Sequence, residues 1–333
     1  MSDEIIAYIN KNYILSIPPV WEKVKGGYLT DNFSIGKGKS RYFLKQYRFD
    51  DEKLLQELHQ VKLFFSKSGI PVIMPIPDKN NNSFFLYQGK YYTLFPFVTG
   101  IIAGRGELTK KHLSSLVSML AKIHLATKDN CPNIASREFH AWNKEKLYQD
   151  AANYLSIINK KPVKDEFDRA AVKHIKIKLE LSKKVNIEYG DLNIKQNHIL
   201  HGDFHEHNVF FNKAAEVTHV YDWEKARIGP RAQEIIRLID LVALHYEFNE
   251  ENYRQAKILF DEYQNNYPLS RQEYNDNLLL YFYKYFCTLW IPEAHYIKGN
   301  LRPDRFLING LPGLEFYTNN FDTHLEKLRS LLK

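Results

Sequence analysis

The chain has 333 residues, enough for two lobes with buried cores, and its 44% hydrophobic and 26% charged residues are those of an ordinary globular protein. Its net charge of +7 suits anionic ligands such as nucleotides, but no dense Lys/Arg run with interleaved aromatics marks it for nucleic acid. Two distant cysteines, Cys131 and Cys287, argue against a disulfide framework, and charges interrupt every apolar window before about 20 residues, so no membrane partner is expected.

The start, Met1-Ser2-Asp3-Glu4, is acidic and unlike a signal peptide, so a cytoplasmic protein is expected. Residues 5–15 read as a short helix. Residues 24–35 and 41–47 read as strands joined by Gly36-Lys37-Gly38-Lys39-Ser40. That join ends like a phosphate-binding P-loop, but the glycine needed five positions before Gly38 is Phe33, and a strand follows, so it reads as a hairpin turn. Residues 50–68 carry Leu54, Leu58, Val61 and Phe65 at helical spacing, and Gly69 ends the helix. Pro71, Pro75 and Pro77 keep the next stretch extended, and 83–87 with 90–97 form a hairpin around Gln88-Gly89.

Beyond residue 95 the pattern is mainly helical. Helices are expected around Leu113, Leu116, Leu120 and Ile123, and near 143–158, 164–184, 231–247, 251–266, 271–290 and 315–332. A short strand pair lies at 208–212 and 217–222. The fold class is therefore α+β: a small β-rich lobe over 1–95 and a larger helical lobe over 96–333.

The chemistry concentrates at 201–224. His201-Gly202-Asp203 precedes a short strand, Asn208 follows Asp203 by five residues, and Asp222 ends the next strand. Phosphoryl transfer needs a carboxylate to orient the attacking hydroxyl and accept its proton, and an amide oxygen and second carboxylate to hold Mg²⁺. Asp203, Asn208 and Asp222 fit those roles at a spacing that a strand–turn–strand brings together. The histidines His201, His205 and His207 could suggest zinc, but no cysteine lies nearby to complete a soft ligand set.

His201-Gly202-Asp203-Phe204-His205-Glu206-His207-Asn208 followed by Asp222-Trp223-Glu224 resembles the aminoglycoside phosphotransferase and choline kinase-like superfamily. That resemblance implies a bilobal, protein-kinase-like fold, ATP (or GTP) with Mg²⁺ as cofactors, and a small-molecule hydroxyl as acceptor. It makes Asp203 the catalytic base, Asn208 and Asp222 the metal ligands, and His201 a support for the loop. Such a fold needs a strand lysine on the phosphates and a helix glutamate to orient it. Lys45 lies inside the strand Tyr42-Phe43-Leu44-Lys45-Gln46-Tyr47. At about 100° per residue, Glu57 lies about 70° from the centre of the 54/58/61/65 face and Glu52 about 150°, so Glu57 is the expected partner.

Gly26-Gly27 resembles the family's nucleotide loop, and Thr93-Leu94-Phe95-Pro96-Phe97-Val98-Thr99-Gly100 its hinge, where backbone groups of Phe95 and Phe97 would meet the base. Ala121-Lys122-Ile123-His124 resembles a helix motif whose histidine is structural. The acceptor is unread: aminoglycosides, homoserine, choline-like amino alcohols, sugars and thiamine-like compounds stay open, with Glu224, Asp240 and Glu247 as possible members of an acidic pocket. Two rival functions stay open as well, a protein Ser/Thr kinase of the bacterial stress-response type and a catalytically silent kinase-like scaffold.

Overall fold

In the computed structural model, the described residues run from Asp3 to Leu332, apart from Lys25, Gly26, Tyr28, Asn130, Asn133, residues 135–142, Asn186, Glu188, His245 and Tyr246. The chain forms two compact units: residues 1–137 with 201–227, and residues 138–200 with 228–333. The sequence places the boundary near residue 95; compactness instead assigns the following helix and the whole of 201–227 to the first unit.

In the first unit, helix α1 (Asp3–Tyr13) is amphipathic and buries Ile5, Ile6, Ile9 and Tyr13. These pack with Phe33, Ile35, Leu44, Phe85, Tyr92 and Leu94 from one face of an antiparallel sheet. Each fully buried side chain of this size contributes about 1.5–3 kcal/mol. The sheet contains β1 (Trp21–Val24), β2 (Thr30–Ile35), β3 (Tyr42–Tyr47), β4 (Phe85–Tyr87) and β5 (Lys90–Pro96), in the order β1-β2-β3-β5-β4. The strand read from sequence over 24–35 starts instead at Thr30, and Val24 ends an earlier strand, β1, which pairs antiparallel with β2. Gln88 and Gly89, both at positive φ, make the turn between β4 and β5 as expected.

Side chains alternate between sheet faces, so register decides what shares a face. Lys45 pairs across the sheet with Asn32 on β2 and Thr93 on β5. While its neighbour Leu44 enters the apolar core with α1, Lys45 points to the opposite face. Helix α2 (Glu52–Lys67) is capped by the Asp51 carboxylate, which accepts from the Leu54 N–H. It buries Leu55, Leu58, His59, Val61, Lys62 and Phe65.

The unit also holds α3 (Lys110–Ala126) and segment 201–227. His124 is fully buried on α3. The segment carries two short paired strands, and the isolated bridges Val72–Val220 and Ile101–Phe211 tie them to the first part of the chain.

The second unit is helical: α4 (Lys144–Lys160), α5 (Glu166–Lys184), α6 (Arg231–Ile239), α7 (Glu250–Asn266), α8 (Arg271–Cys287), α9 (Trp290–Tyr296) and α10 (Asp304–Arg329). The helix expected over 231–247 changes to a π-turn at Asp240–Leu244. Helix α10 begins eleven residues earlier than the periodicity predicts and carries Pro312 inside it. An aromatic cluster fills the interior. Phe321 lies 5.0 Å from Phe282 and 5.2 Å from Phe286, with His324 5.6 Å from Phe282.

Candidate active site

The loop after residue 200 carries the candidate groups Asp203 and Asn208. Its backbone shape is fixed by local chemistry. Gly202 has φ +83°, and a Cβ there would lie 2.0 Å from the Lys225 carbonyl oxygen, so only glycine fits. His201 is buried and bonds at both nitrogens: Nε2 donates to the Tyr221 carbonyl at 2.8 Å, and Nδ1 accepts the Asp203 N–H at 3.3 Å. This pattern requires a neutral imidazole, and it clamps the Asp203 turn to the strand that leads into Asp222. The support expected of His201 has a geometric basis here.

Asn208 Nδ2 donates to the Asp203 carbonyl at 2.8 Å, which leaves its amide oxygen as the atom suited to a cation. Two strands follow, β6 (His198–Leu200) having preceded the loop: β7 (Val209–Phe211) and β8 (Val217–Val220) pair antiparallel, and the Tyr221 N–H donates to the Asn208 carbonyl at 3.0 Å. Asp222 then adopts a left-handed backbone, φ 66° and ψ 49°. An Asp tolerates that region better than most residues. Asn208 is thus bonded to the Asp203 backbone, and Asp222 directly follows the residue that pairs with the Asn208 backbone.

A buried charge cluster lies behind Asp222. Lys45 Nζ is 3.0 Å from Asp222 Oδ1 and 2.9 Å from Glu224 Oε2. Lys62 Nζ lies 3.4 Å from Glu224 Oε1. The side chains of Lys45, Lys62 and Glu224 are only 9%, 3% and 3% exposed. Burial works against the charge on Lys45, but the Glu224 and Asp222 carboxylates outweigh it and hold the ammonium above the ordinary lysine range. Burial would likewise raise Glu224, yet Lys45 and Lys62 keep it well below the usual carboxylate range. Lys62 is pulled below the ordinary lysine range by burial, against the attraction of Glu224. Beside them His59 is driven by burial down to about 2 and is neutral, with Nδ1 2.6 Å from Ser83 Oγ and Nε2 3.4 Å from Thr93 Oγ1.

This corrects the partner expected for Lys45. The buried face of α2 is 55/58/59/61/62/65, not 54/58/61/65. At about 100° per residue its centre is displaced by about 50°, which puts Glu57 about 120° away and Lys62 about 20° away. Glu57 is half-buried on the flank, and Lys45 is ion-paired with Glu224 and Asp222. Glu224 is accordingly an interior anion of the first unit and not a wall of an acceptor pocket.

Asp203 has a cation of its own. Lys225 Nζ is 2.8 Å from Asp203 Oδ2, and His205 Nε2 is 3.9 Å from Oδ1. Glu224, Lys62, Lys225 and His59 are the groups that sequence reasoning missed in these places. One signal was available: Lys62, four after Leu58 and three before Phe65, puts a charge on an apolar stripe.

The remaining expected residues fall as follows. Gly26 lies outside the described residues. Gly27 has φ +83°, and a Cβ would lie 2.7 Å from the Thr30 carbonyl oxygen, so the turn into β2 demands glycine. Phe95 is a buried β5 residue opposite Phe43, and Phe97 lies one residue past the strand end, where its ring carries the Arg41 guanidinium at 3.8 Å. Gly36 through Ser40 forms a turn with a short 3₁₀ segment at Gly38–Ser40 between β2 and β3, as the P-loop argument concluded. No group of three or more His, Cys, Asp and Glu poised for a metal occurs among the described residues. Asn208 and Asp222 are instead hard oxygen donors of the kind Mg²⁺ takes alongside phosphates and water, and Asp222 already accepts the Lys45 ammonium.

The sequence of residues 20–271 matches the family model described as the phosphotransferase enzyme family. The chain belongs to that family. No curated protein matches the sequence. Among solved structures, a spectinomycin phosphotransferase in complex with ADP and spectinomycin superposes with TM-score 0.65 at 15% identity, covering 96% of this chain and 98% of that one. An amicoumacin kinase in complex with AMP-PNP and Ca²⁺ gives TM-score 0.62 at 13% identity, covering 93% and 91%. A choline kinase from Cryptosporidium parvum Iowa II gives 0.60 at 13% identity, covering 99% of each chain. Identities this low speak to fold, and the fold they share is the expected kinase-like one. For this phosphotransferase-family chain, no helix among the described residues is long and apolar enough to cross a membrane.

Proposed function

We propose that this chain transfers the γ-phosphoryl group of ATP to a hydroxyl of a small molecule, with Mg²⁺. The observation that carries this reading is the constellation of Asp203, Asn208 and Asp222 on one loop, with the β3 lysine seated on Asp222. Asp203 orients the acceptor hydroxyl and takes its proton as the oxygen attacks the γ-phosphorus. The bond to the β–γ bridging oxygen breaks, and ADP leaves with the electron pair. Lys225, on Oδ2, fixes the Asp203 carboxylate so that Oδ1 can face the incoming hydroxyl. Lys45 offers its ammonium to the donor phosphates. Asn208 and Asp222 would hold Mg²⁺, which when bound neutralises phosphate charge. Backbone groups at Phe95 and Phe97 would receive the base, and the turn at Gly27 lets backbone approach the phosphates.

The neighbours described as complexes with spectinomycin and as a choline kinase support an acceptor that carries both hydroxyl and amino groups. A panel of aminoglycosides, amino alcohols, homoserine and sugars, read by ATP consumption, tests this. Phosphorylation of an amino-bearing hydroxyl compound is the expected result. Radiolabelled bands in cell extract with no activity on the panel would replace it with a protein kinase. A wild-type protein with no thermal shift on adding Mg²⁺ and a nonhydrolysable ATP analogue would favour a silent scaffold.

A further inference from the structure

We propose that Lys62 and Glu224 together replace the helix glutamate as the device that positions Lys45, with α2 contributing the cation and the Asp-Trp-Glu loop the anion. The proposal rests on the phosphotransferase reading above, in which Lys45 serves the donor phosphates.

Three observations carry it. First, Glu224 bridges two lysines through separate oxygens, Oε2 to Lys45 at 2.9 Å and Oε1 to Lys62 at 3.4 Å, and its side chain is 3% exposed. A buried carboxylate between two ammonium groups is restrained at both ends, so it holds Lys45 in one orientation. Second, the other partner of Lys45 is Asp222, a residue proposed to face the metal. Glu224 is therefore the partner whose role is not shared with ligand binding. Third, Lys62 is anchored independently of Lys45, with its ammonium 5.2 Å from the centroid of the Phe95 ring. The contact joins the cluster to β5 at the residue that the hinge reading assigns to the base. Lys62 thus links α2, the sheet and the loop that carries Asp222, the connection that a helix carboxylate to Lys45 would otherwise make.

Lys62 touches no reacting atom and is a positioning residue. Its loss leaves Glu224 paired with Lys45 but free to swing, which misplaces the phosphate lysine. The test compares full-length wild type, Lys62→Met, Lys62→Arg and Glu57→Gln. Affinity for a nonhydrolysable ATP analogue is measured by titration with and without Mg²⁺, and kcat and KM for ATP on whichever acceptor the panel yields. Lys62→Met is expected to weaken analogue binding and raise the KM for ATP about tenfold, with acceptor KM unchanged, and Lys62→Arg to recover most of this. Glu57→Gln is expected to bind the analogue as wild type does. A purely structural role would lower the active fraction, and so kcat, without moving nucleotide affinity. Wild-type affinity in Lys62→Met overturns the proposal, as does a loss in Glu57→Gln equal to that of Lys62→Met. Should Lys62→Met fail to fold, the affinity of Lys62→Arg supplies the test, wild-type-like binding supporting a cation at this position and a loss equal to that of a lysine-to-neutral change overturning it, while weakened binding in Glu57→Gln would restore the helix carboxylate to its usual role and overturn it too. If wild type itself neither binds the analogue nor consumes ATP, the phosphotransferase reading fails, an outcome distinct from the failure of Lys62 within a working enzyme.

Discussion

The 201–227 segment of the first unit and the helical second unit use their buried polar groups differently. The segment keeps charge inside: Glu224 is 3% exposed yet ionised between two lysines, and His201 is spent on two backbone bonds. The second unit fills its interior with rings, and its buried charges divide between ion pairs, such as Lys161 on Asp168 at 2.7 Å, and contacts to backbone carbonyls. Lys178 caps α8 by donating to the Tyr285 and Thr288 carbonyls, each at 2.7 Å, and Arg231 grips Glu273 along with the Tyr267 and Pro268 carbonyls. In the first unit the buried charges face one another around Asp222 and Glu224. In the second unit, the charges that face carbonyls hold helix ends, and such residues carry no signature of what they bind. That is why the proposed donor side can be argued residue by residue while the proposed acceptor is argued only as a class.

The comparison breaks most easily at Glu224. Glu224→Ala leaves two buried ammonium groups without their shared anion and should cost about 3–5 kcal/mol of stability, measured by urea unfolding. A cost near that of a surface change would mean the cluster is solvated. Asp203→Asn should leave nucleotide-induced thermal stabilisation intact and cut turnover by about 10² or more, since it removes proton acceptance but little binding. Near-normal turnover would remove Asp203 from the base role.

In the second unit burial pulls Lys178 down to about 7. Because the unfolded lysine titrates near 10.5, the unfolded chain holds the extra proton between pH 7 and about 10.5, so stability should rise with pH across that window. The slope for one proton is at most about 1.4 kcal/mol per pH unit. Urea unfolding of wild type and Lys178→Met from pH 7 to 10 isolates it, and parallel curves would show that Lys178 stays charged throughout.

The smallest effect belongs to an ion pair at the edge of the first unit. Hydrogen bonding from Arg48, aided by Lys23 against the effect of burial, lowers Asp31 to about 2. Its contribution is complete above about pH 4 and is lost as the pH falls toward 2, by about 1–2 kcal/mol. Asp31→Asn should flatten the acid side of the stability profile by that amount; an unchanged profile would mean that the pair is spent on solvent.

The loop chemistry was legible because it is local. Asp203, Gly202, His201 and Asn208 lie within eight residues, and their spacing alone constrains the turn they make. Fold class was legible for the same reason, since period-two and period-3.6 stretches change over near residue 100. The first hairpin was misread because a polar β1 of pattern Trp-Glu-Lys-Val lacks the alternation that marks a strand. The early start of α10 was missed because Pro312 reads as a breaker, although the helix passes through it.

By itself, the sequence determined the candidate groups and their spacing: a carboxylate, an amide and a second carboxylate set apart by one short strand pair. Only the tertiary structure decided which charges face one another. Lys45 and Asp222 are 177 residues apart, and Lys62 and Glu224 are 162 apart, so no local period joins them. A lysine on an amphipathic helix reads as a solvated residue until packing shows it 3% exposed against a carboxylate. The physical reason is that ion pairing depends on distance and burial, and both are fixed by how α2 rolls onto the sheet, a rotation of about 50° that moves Glu57 off the buried face and brings Lys62 near its centre.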